Sequence, residues 1–133
     1  MLVYHLFQVA IVVRGLLWRG QNVMCDRYVF DTMVDLQQEL GYSAAKAQAI
    51  LGARWIPQAD SKFLLDLPAQ PAFKRKPDSY SVEFLEERRV MYLHLARECE
   101  LTLVDASQSV DTVLQLVTSQ IIARNSWSGD IDG

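Results

Sequence analysis

Three short apolar runs, each ending in aspartate, constrain the fold of this chain more than any other feature. They are VMCD at 23–26, FLLD at 63–66 and TLVD at 102–105. Each has the length of a buried strand, and a strand covered on both faces carries a continuous apolar run rather than an alternating one. Prolines follow the second run and serines follow the third, which indicates turns there. We therefore predict three strands, the first over Asn22–Cys25.

Helical patterns lie between these runs. Apolar residues recur at helical spacing over Val29–Leu40, with Gly41 as a suitable end, over Ser81–Cys99, and after Ser109, which is a suitable N-cap. A shorter helix is predicted over 44–52. Alternating strands and helices predict an α/β fold, in which a parallel sheet with flanking helices forms three α/β/α layers.

Length and charge bound the class of protein. We expect one domain over 1–123 and a polar tail over 124–133, since 133 residues suit a single domain. A net charge of -3 argues against a protein that coats nucleic acid. The two cysteines, Cys25 and Cys99, lack partners at metal-binding spacing and are interpreted as reduced thiols in a cytoplasmic protein.

The N-terminal segment 2–18 is apolar, but polar residues interrupt it at His5, Gln8 and Arg14. Its longest uninterrupted apolar run is far shorter than the roughly 20 residues that a membrane span needs. We predict a buried helix and no membrane association. A helix that is apolar almost all round needs partners on several sides. Together with a sheet of only three strands, this leads us to expect an N-terminally incomplete domain.

Four segments, in order, resemble thymidylate kinases and their relatives. RGQNVMCDRYVFDTMVDL resembles the segment around the family's Asp-Arg-Tyr motif, and PQADSKFLLDLPAQPAFKRK resembles its strand, proline-bearing turn and lid. EERRVMYLHLA is similar to the helix that follows the lid, and VDASQSVDTVLQLV to the last strand, the adenine-contacting loop and the final helix. The resemblance covers 13–122 and implies a P-loop NTPase-like fold, phosphoryl transfer from ATP with Mg²⁺ to a nucleotide, and compatibility with a homodimer.

The resemblance also implies roles on the acceptor side. Arg27 would contact the acceptor phosphate, since a guanidinium can bind phosphate through two hydrogen bonds. Asp26 would lie at the reaction centre and hold magnesium, which prefers oxygen ligands. Tyr28 and Asp31 would complete the acceptor site, Asp31 either replacing a serine hydrogen bond or repelling the phosphate. From the residues alone, Asp26 and Arg27 could equally form a structural pair or cap the next helix.

On the donor side, Arg75 matches the lid arginine that would bind the transferred phosphate, although a basic run at 74–76 is also typical of a solvated surface. Ser107 and Gln108 match the loop that would line the adenine, and a plain capping turn fits them equally well. Arg88 shares a helical face with Leu85 and Tyr92, and we prefer it to Arg89 as a substrate ligand because adjacent helix positions point apart.

Two departures limit what the resemblance implies. The sequence contains no Gly-x-x-x-x-Gly-Lys-Ser/Thr loop, which cradles the donor phosphates in P-loop enzymes. We therefore expect this chain alone to be inactive, and the complete domain to be the kinase. The residues after Asp-Arg-Tyr also differ from the family pattern, so thymidine monophosphate is a leading acceptor rather than an assigned one. The alternative is a non-catalytic module of the same fold.

Asp66 and Asp105 are expected only to bond neighbouring backbone.

Overall fold

The computed structural model describes residues 2–43, 45, 46, 49, 56–77 and 80–127. The predicted helix over 44–52 falls mostly outside them. The chain divides into two compact units, Met1–Ala59 and Asp60–Gly133. The described residues form a mixed α/β structure in which all the strands belong to the second unit. The predicted parallel pairing is confirmed for two strands.

The first unit contains helices α1 (Leu2–Trp18) and α2 (Val29–Leu40). Helix α1 ends in a left-handed turn at Gly20, whose φ is 71°, and the Gln21 N–H donates to the Leu16 carbonyl at 3.1 Å. A glycine adopts this φ without a steric cost, which is why helices commonly end this way. Gly41, with φ of 63°, ends α2 as predicted.

Among the described residues of the first unit, most of the buried side chains lie on α2. Val29, Met33, Val34 and Leu36 are buried there, and Val34 is fully inaccessible to solvent. On α1, Ala10 and Val13 are buried, whereas Ile11 and Val12 are more than half exposed. The prediction of a buried helix is therefore wrong for the side of α1 that carries Ile11 and Val12. No described helix combines the length and the apolarity that a membrane crossing requires.

The predicted strand over Asn22–Cys25 is wrong. These residues have irregular backbone, and Met24 is 89% exposed. A short apolar run becomes a strand only where another strand satisfies its backbone hydrogen bonds. No described strand pairs with residues 22–25. Of the three runs that define the sequence pattern, the second and third alone form strands.

The second unit contains β1 (Phe63–Asp66), α3 (Ala69–Arg75), α4 (Val82–Glu98), β2 (Thr102–Asp105) and α5 (Val110–Trp127). Strands β1 and β2 pair in parallel, with Phe63 opposite Thr102 and Asp66 opposite Asp105. Helix α5 runs three residues beyond Arg124, where the polar tail was expected to begin. Val104, Leu95 and Ala96 form the most buried part of this unit.

Local chemistry sets the helix ends of this unit. The Ser81 hydroxyl accepts a hydrogen bond from the Phe84 N–H at 3.2 Å and caps α4, and Ser109 caps α5 by accepting from the Thr112 N–H at 3.2 Å. At the other end of α4, the Lys62 ammonium donates to the Cys99 carbonyl at 2.6 Å. A cation at a helix C-terminus also interacts favourably with the helix dipole. The predicted cap at Ser109 is confirmed.

Candidate functional site

The candidate site lies at the carboxyl edge of the two-stranded sheet in the second unit. Asp66 and Asp105 end β1 and β2 at the same level, and the Ala106 N–H donates to the Asp66 carbonyl at 2.8 Å. In open parallel α/β sheets ligands bind outside this edge. The segments that follow the two strands therefore meet where such folds carry their chemistry.

Asp66 forms a two-point ion pair with Arg89 of α4. The Arg89 Nε donates to Asp66 Oδ1 at 2.7 Å, and its Nη2 donates to Oδ2 at 2.9 Å. Both side chains are about three-quarters buried, and Glu86 adds a contact of 3.2 Å to the Arg89 Nη1. The hydrogen bonds to Asp66 raise the pKa of Arg89 above its usual range. The pair links α4 to the end of β1. The expectation that Asp66 bonds only backbone is wrong, because its carboxylate binds the Arg89 side chain.

A groove of about 170 Å³ opens beside this pair, between β1, α3 and α4. Its walls include Asp66, Arg88, Arg89 and Tyr92. Arg88 Nη2 donates to the Tyr92 hydroxyl at 3.4 Å, and the guanidinium lies 5.6 Å from the ring centre of Tyr92. The predicted shared face of Arg88 and Tyr92 is confirmed. The prediction that only one of the two neighbouring arginines can face a cleft is wrong, because both Arg88 and Arg89 line the groove.

The loop after β2 is organised by Asp105. Its Oδ1 accepts from the Ser107 N–H at 2.9 Å, and its Oδ2 accepts from the Gln108 Nε2 at 3.1 Å. These bonds, led by those from Ser107, lower the pKa of Asp105 because they stabilise the charged carboxylate. Ser107 and Gln108 thus take part in the capping turn that the sequence allows, and Asp105 bonds local backbone as expected.

This arrangement predicts an acid-sensitive loop. Because the pKa of Asp105 is lower in the folded chain than in the unfolded one, its contribution to stability is present at neutral pH and lost as pH falls through the lowered value. The amide signal of Ser107 should shift with a midpoint below the ordinary aspartate pKa of about 3.9. Proton–nitrogen NMR measures it, and Asp105→Asn should abolish the titration. A midpoint at or above the ordinary value would contradict the assignment.

Arg75 reaches the same loop from the end of α3. Its Nη2 donates to the Ala106 carbonyl at 3.4 Å, across 31 residues of sequence. Arg75, Ser107 and Gln108 are all exposed. The structure therefore places Arg75 beside the loop that carries Ser107 and Gln108, the two residues that the resemblance assigns to the adenine.

The remaining predicted residues, except Arg88, lie in the first unit. Asp26 and Arg27 form an exposed bend before α2, and Arg27 has a φ of 63°. The Arg27 guanidinium lies 4.0 Å from the Asp31 carboxylate, one helical turn away, and the Arg27 side chain is 78% exposed. An exposed pair at this distance contributes little to stability. The guanidinium is thus accessible to an anion.

Tyr28 has a structural partner. Its hydroxyl donates to the Pro57 carbonyl at 3.1 Å. Partial burial raises the pKa of Tyr28 and the neighbouring Cys25 raises it further, while Arg14 lowers it. The phenol therefore stays protonated at neutral pH and acts as a donor. Its hydrogen bond ties the start of α2 to a segment 29 residues later.

The described residues suit magnesium only if the nucleotide and water supply most of its ligands. Within the described ranges, no cluster of three or more histidine, cysteine or acidic side chains could hold a metal ion. Mg²⁺ in phosphoryl-transfer sites is commonly bound by one or two carboxylates plus substrate phosphates and water. The exposed Asp26 fits an ion that arrives with the nucleotide, rather than one held by the protein.

These features define a mixed α/β protein whose charged side chains gather at the carboxyl edge of a parallel sheet. No family model, curated protein or solved structure matches the chain. Its function must therefore be argued from the residues at this edge.

No sequence signal points directly to the Asp66–Arg89 pair, which joins residues 23 positions apart. The one available hint was the length of α4. Counted from Val82, Arg88 and Arg89 are the seventh and eighth residues of α4, about two turns into the helix. A residue there can reach Asp66, but sequence alone does not decide which of two adjacent arginines does so.

Proposed function

We propose that the complete domain transfers a phosphoryl group from ATP to a nucleoside monophosphate, with thymidine monophosphate as the leading acceptor, and that this chain carries its acceptor and lid residues. The proposal includes membership of the thymidylate-kinase-like group, the P-loop NTPase-like three-layer fold and a cytoplasmic location. Support comes from the resemblance of the four segments and from the residues at the sheet edge.

One observation carries the proposal: Arg75 donates to the Ala106 carbonyl, next to Ser107 and Gln108. The lid-like and adenine-loop-like segments are remote in sequence, yet they meet at the carboxyl edge of parallel strands, where nucleotides bind in this class of fold. A kinase needs positive charge at this position because negative charge spreads over the oxygens of the transferred phosphate.

Each candidate site residue would have a separate role in the proposed reaction. Arg75 would bind donor phosphate oxygens, and the backbone and side chains of Ser107 and Gln108 would line the base. Arg27 would bind the acceptor phosphate in the manner of guanidinium forks, with Tyr28, Asp31 and Arg88 as further substrate contacts. Magnesium, when bound with ATP, supplies charge neutralisation, and Asp26 is the carboxylate that would contact it.

A non-catalytic module of the same fold is the second candidate. The charges at the sheet edge largely satisfy one another, with Arg89 on Asp66 and Glu86. The Asp105 carboxylate is likewise occupied by Ser107 and Gln108. An edge that is internally paired can keep its shape without ligand. This observation, and the missing phosphate-binding loop, favour a binding or interaction role for the chain by itself.

A nucleotide-binding assay tests the role proposed for Arg75 from its contact with the Ala106 carbonyl. Replacing Arg75 with alanine should weaken binding of a fluorescent ATP analogue by about tenfold, since one charge-assisted contact to phosphate is lost. The matched control is Arg97→Ala, which removes an exposed arginine from α4 and should leave binding unchanged. Fluorescence anisotropy measures both. Equal affinities for the Arg75 and Arg97 variants would contradict the role of Arg75.

Product formation separates the two candidate functions. The assay detects ADP from ATP and thymidine monophosphate, both with this chain and with a longer product that includes any phosphate-binding loop encoded in frame ahead of Met1. Turnover by the longer product supports the kinase. Binding without turnover in both supports the non-catalytic module.

A further inference from the structure

An open cleft of about 530 Å³ lies between the start of α3 and the first half of α4, within the second unit. Pro68, Ala69, Val82 and Val90 supply its apolar floor, and Val90 is 57% exposed. The cleft shares only Ala69 with the groove beside Asp66, and it contains none of the residues proposed to bind nucleotide. An exposed apolar surface framed by charged side chains is typical of a site that binds another molecule.

The rim of the cleft is acidic. Glu83, Glu86 and Glu87, here called the acidic stripe, are exposed and lie on α4. Arg89 pairs with Glu86, whereas in the described part of the chain neither Glu83 nor Glu87 forms an ion pair. Hydrogen bonds from backbone and from Ser81 lower the pKa of Glu83, so its carboxylate is charged at neutral pH. No lysine or arginine occurs among the described residues that line the cleft, so the rim keeps an excess of negative charge.

The acidic stripe and Val90 share one face of α4. Counted from Glu83, the other three residues follow at three, four and seven positions, which is the spacing of side chains on one side of a helix. From Glu83 to Val90 this face extends for about 10 Å, which is about two helical turns. A partner segment of the same length would match it if it carried apolar side chains for the floor and cations for the rim.

Contacts within the chain hold the walls of the cleft in place. Helix α3 packs against α4, and the two-point pair of Arg89 with Asp66 links α4 to β1. The Arg89 Nη1 also donates to Glu86 Oε1 at 3.2 Å, which orients one carboxylate of the acidic stripe. A surface that is ordered before binding loses less conformational entropy when a partner docks.

We propose that this cleft docks a basic amphipathic helix of a partner protein. Apolar side chains at helical spacing would cover the floor, as they do where helices bind in grooves. Lysine or arginine side chains beside them would reach Glu83 and Glu87, while their aliphatic stems add apolar contact along the walls. An acidic helix would be repelled by the rim, and a purely apolar helix would leave the carboxylates unpaired. The docking does not depend on the proposed kinase reaction.

A designed peptide tests the docking directly. It is about 14 residues long, close to the shortest length that keeps a helix in water, with leucines on one face and lysines on the other. The fluorescein-labelled peptide should bind the full chain with a Kd below about 100 µM, measured by fluorescence anisotropy. A scrambled peptide of the same composition keeps the charge but has no apolar face, and it should bind at least about tenfold more weakly.

Variants of the chain locate the binding surface. Glu83→Lys with Glu87→Lys should weaken peptide binding by at least about tenfold, because the rim then repels lysine. Val90→Gln should weaken it by about threefold, because part of the apolar floor is lost. The control, Glu39→Lys with Glu100→Lys, makes the same change in net charge at exposed sites elsewhere and should bind the peptide normally.

Circular dichroism confirms that each variant is folded. If the charge-reversed variant fails to fold, the neutral variant Glu83→Gln with Glu87→Gln takes its place, and it should also weaken peptide binding.

Several results would overturn the proposal. They are no binding below about 100 µM, equal binding of the two peptides, unchanged binding in the variants of the rim or the floor, and an equal loss in the control. Displacement of the peptide by an equal concentration of spermidine would also overturn it, because a small organic cation would then be the occupant. Self-association of the wild-type chain that is lost on charge reversal would do the same, since a second copy would then fill the cleft. Loss of ATP binding or turnover bears on the proposed function and on none of these outcomes.

Discussion

Replacing Arg89 with methionine should lower the free energy of unfolding of the second unit by about 2 kcal/mol. The change removes two charge-assisted hydrogen bonds from Asp66 and leaves a carboxylate that is about three-quarters buried without its partner. Bonds to charged groups contribute about 1.5–3 kcal/mol, and the remaining exposure places this pair near the lower half of that range. Urea denaturation of the full chain, followed by far-ultraviolet circular dichroism, measures the change.

A double-mutant cycle assigns this loss to the pair. Asp66→Asn alone and Arg89→Met alone should each destabilise the unit, and the double variant should cost clearly less than their sum. Arg97→Met is the matched control, because Arg97 is exposed on the same helix, and it should change stability by less than about 0.5 kcal/mol. Additive single effects would show that Asp66 and Arg89 do not stabilise each other.

Replacing Leu95 with alanine should have the larger effect, a loss of about 3 kcal/mol. Leu95 lies on α4 and is 3% exposed, next to the equally buried Ala96. Truncating a buried leucine removes its transfer free energy and leaves a cavity, which together cost about 2–5 kcal/mol. The same denaturation experiment detects it as a lower midpoint with an unchanged slope.

Val90→Ala provides the comparison for this prediction. Val90 lies on the same helix but is 57% exposed, so its truncation should change stability by no more than about 0.5 kcal/mol. A similar loss in both variants would contradict the difference in burial between Leu95 and Val90 on which the prediction rests.

Local sequence signals predicted the elements that depend on local chemistry. The helical spacing of apolar residues predicted α2 and α4, and Gly41, Ser81 and Ser109 mark helix ends because their conformation or hydroxyl suits that position. The parallel pairing of β1 with β2 followed from the alternation of strands and helices. These inferences need only neighbours in sequence and a general rule of handedness.

Apart from the pairing of the two strands, partners remote in sequence could not be predicted. Asn22–Cys25 has the composition of a strand, but composition does not show whether another strand lies alongside. Arg88 and Arg89 differ by one helix position, or about 100° of rotation, and the seating of α4 on β1 decides which reaches Asp66. The donor-side residues Arg75, Ser107 and Gln108 were placed from the family resemblance, and their proximity emerged only from the folded chain.

The left-handed backbone at Arg27 affects how any variant there should be interpreted. A side chain in this conformation costs roughly 1 kcal/mol that glycine avoids. Arg27→Ala removes the guanidinium and keeps this cost, whereas Arg27→Gly removes both. The two variants together separate the contribution of the positive charge from that of the backbone, which neither of them can do alone.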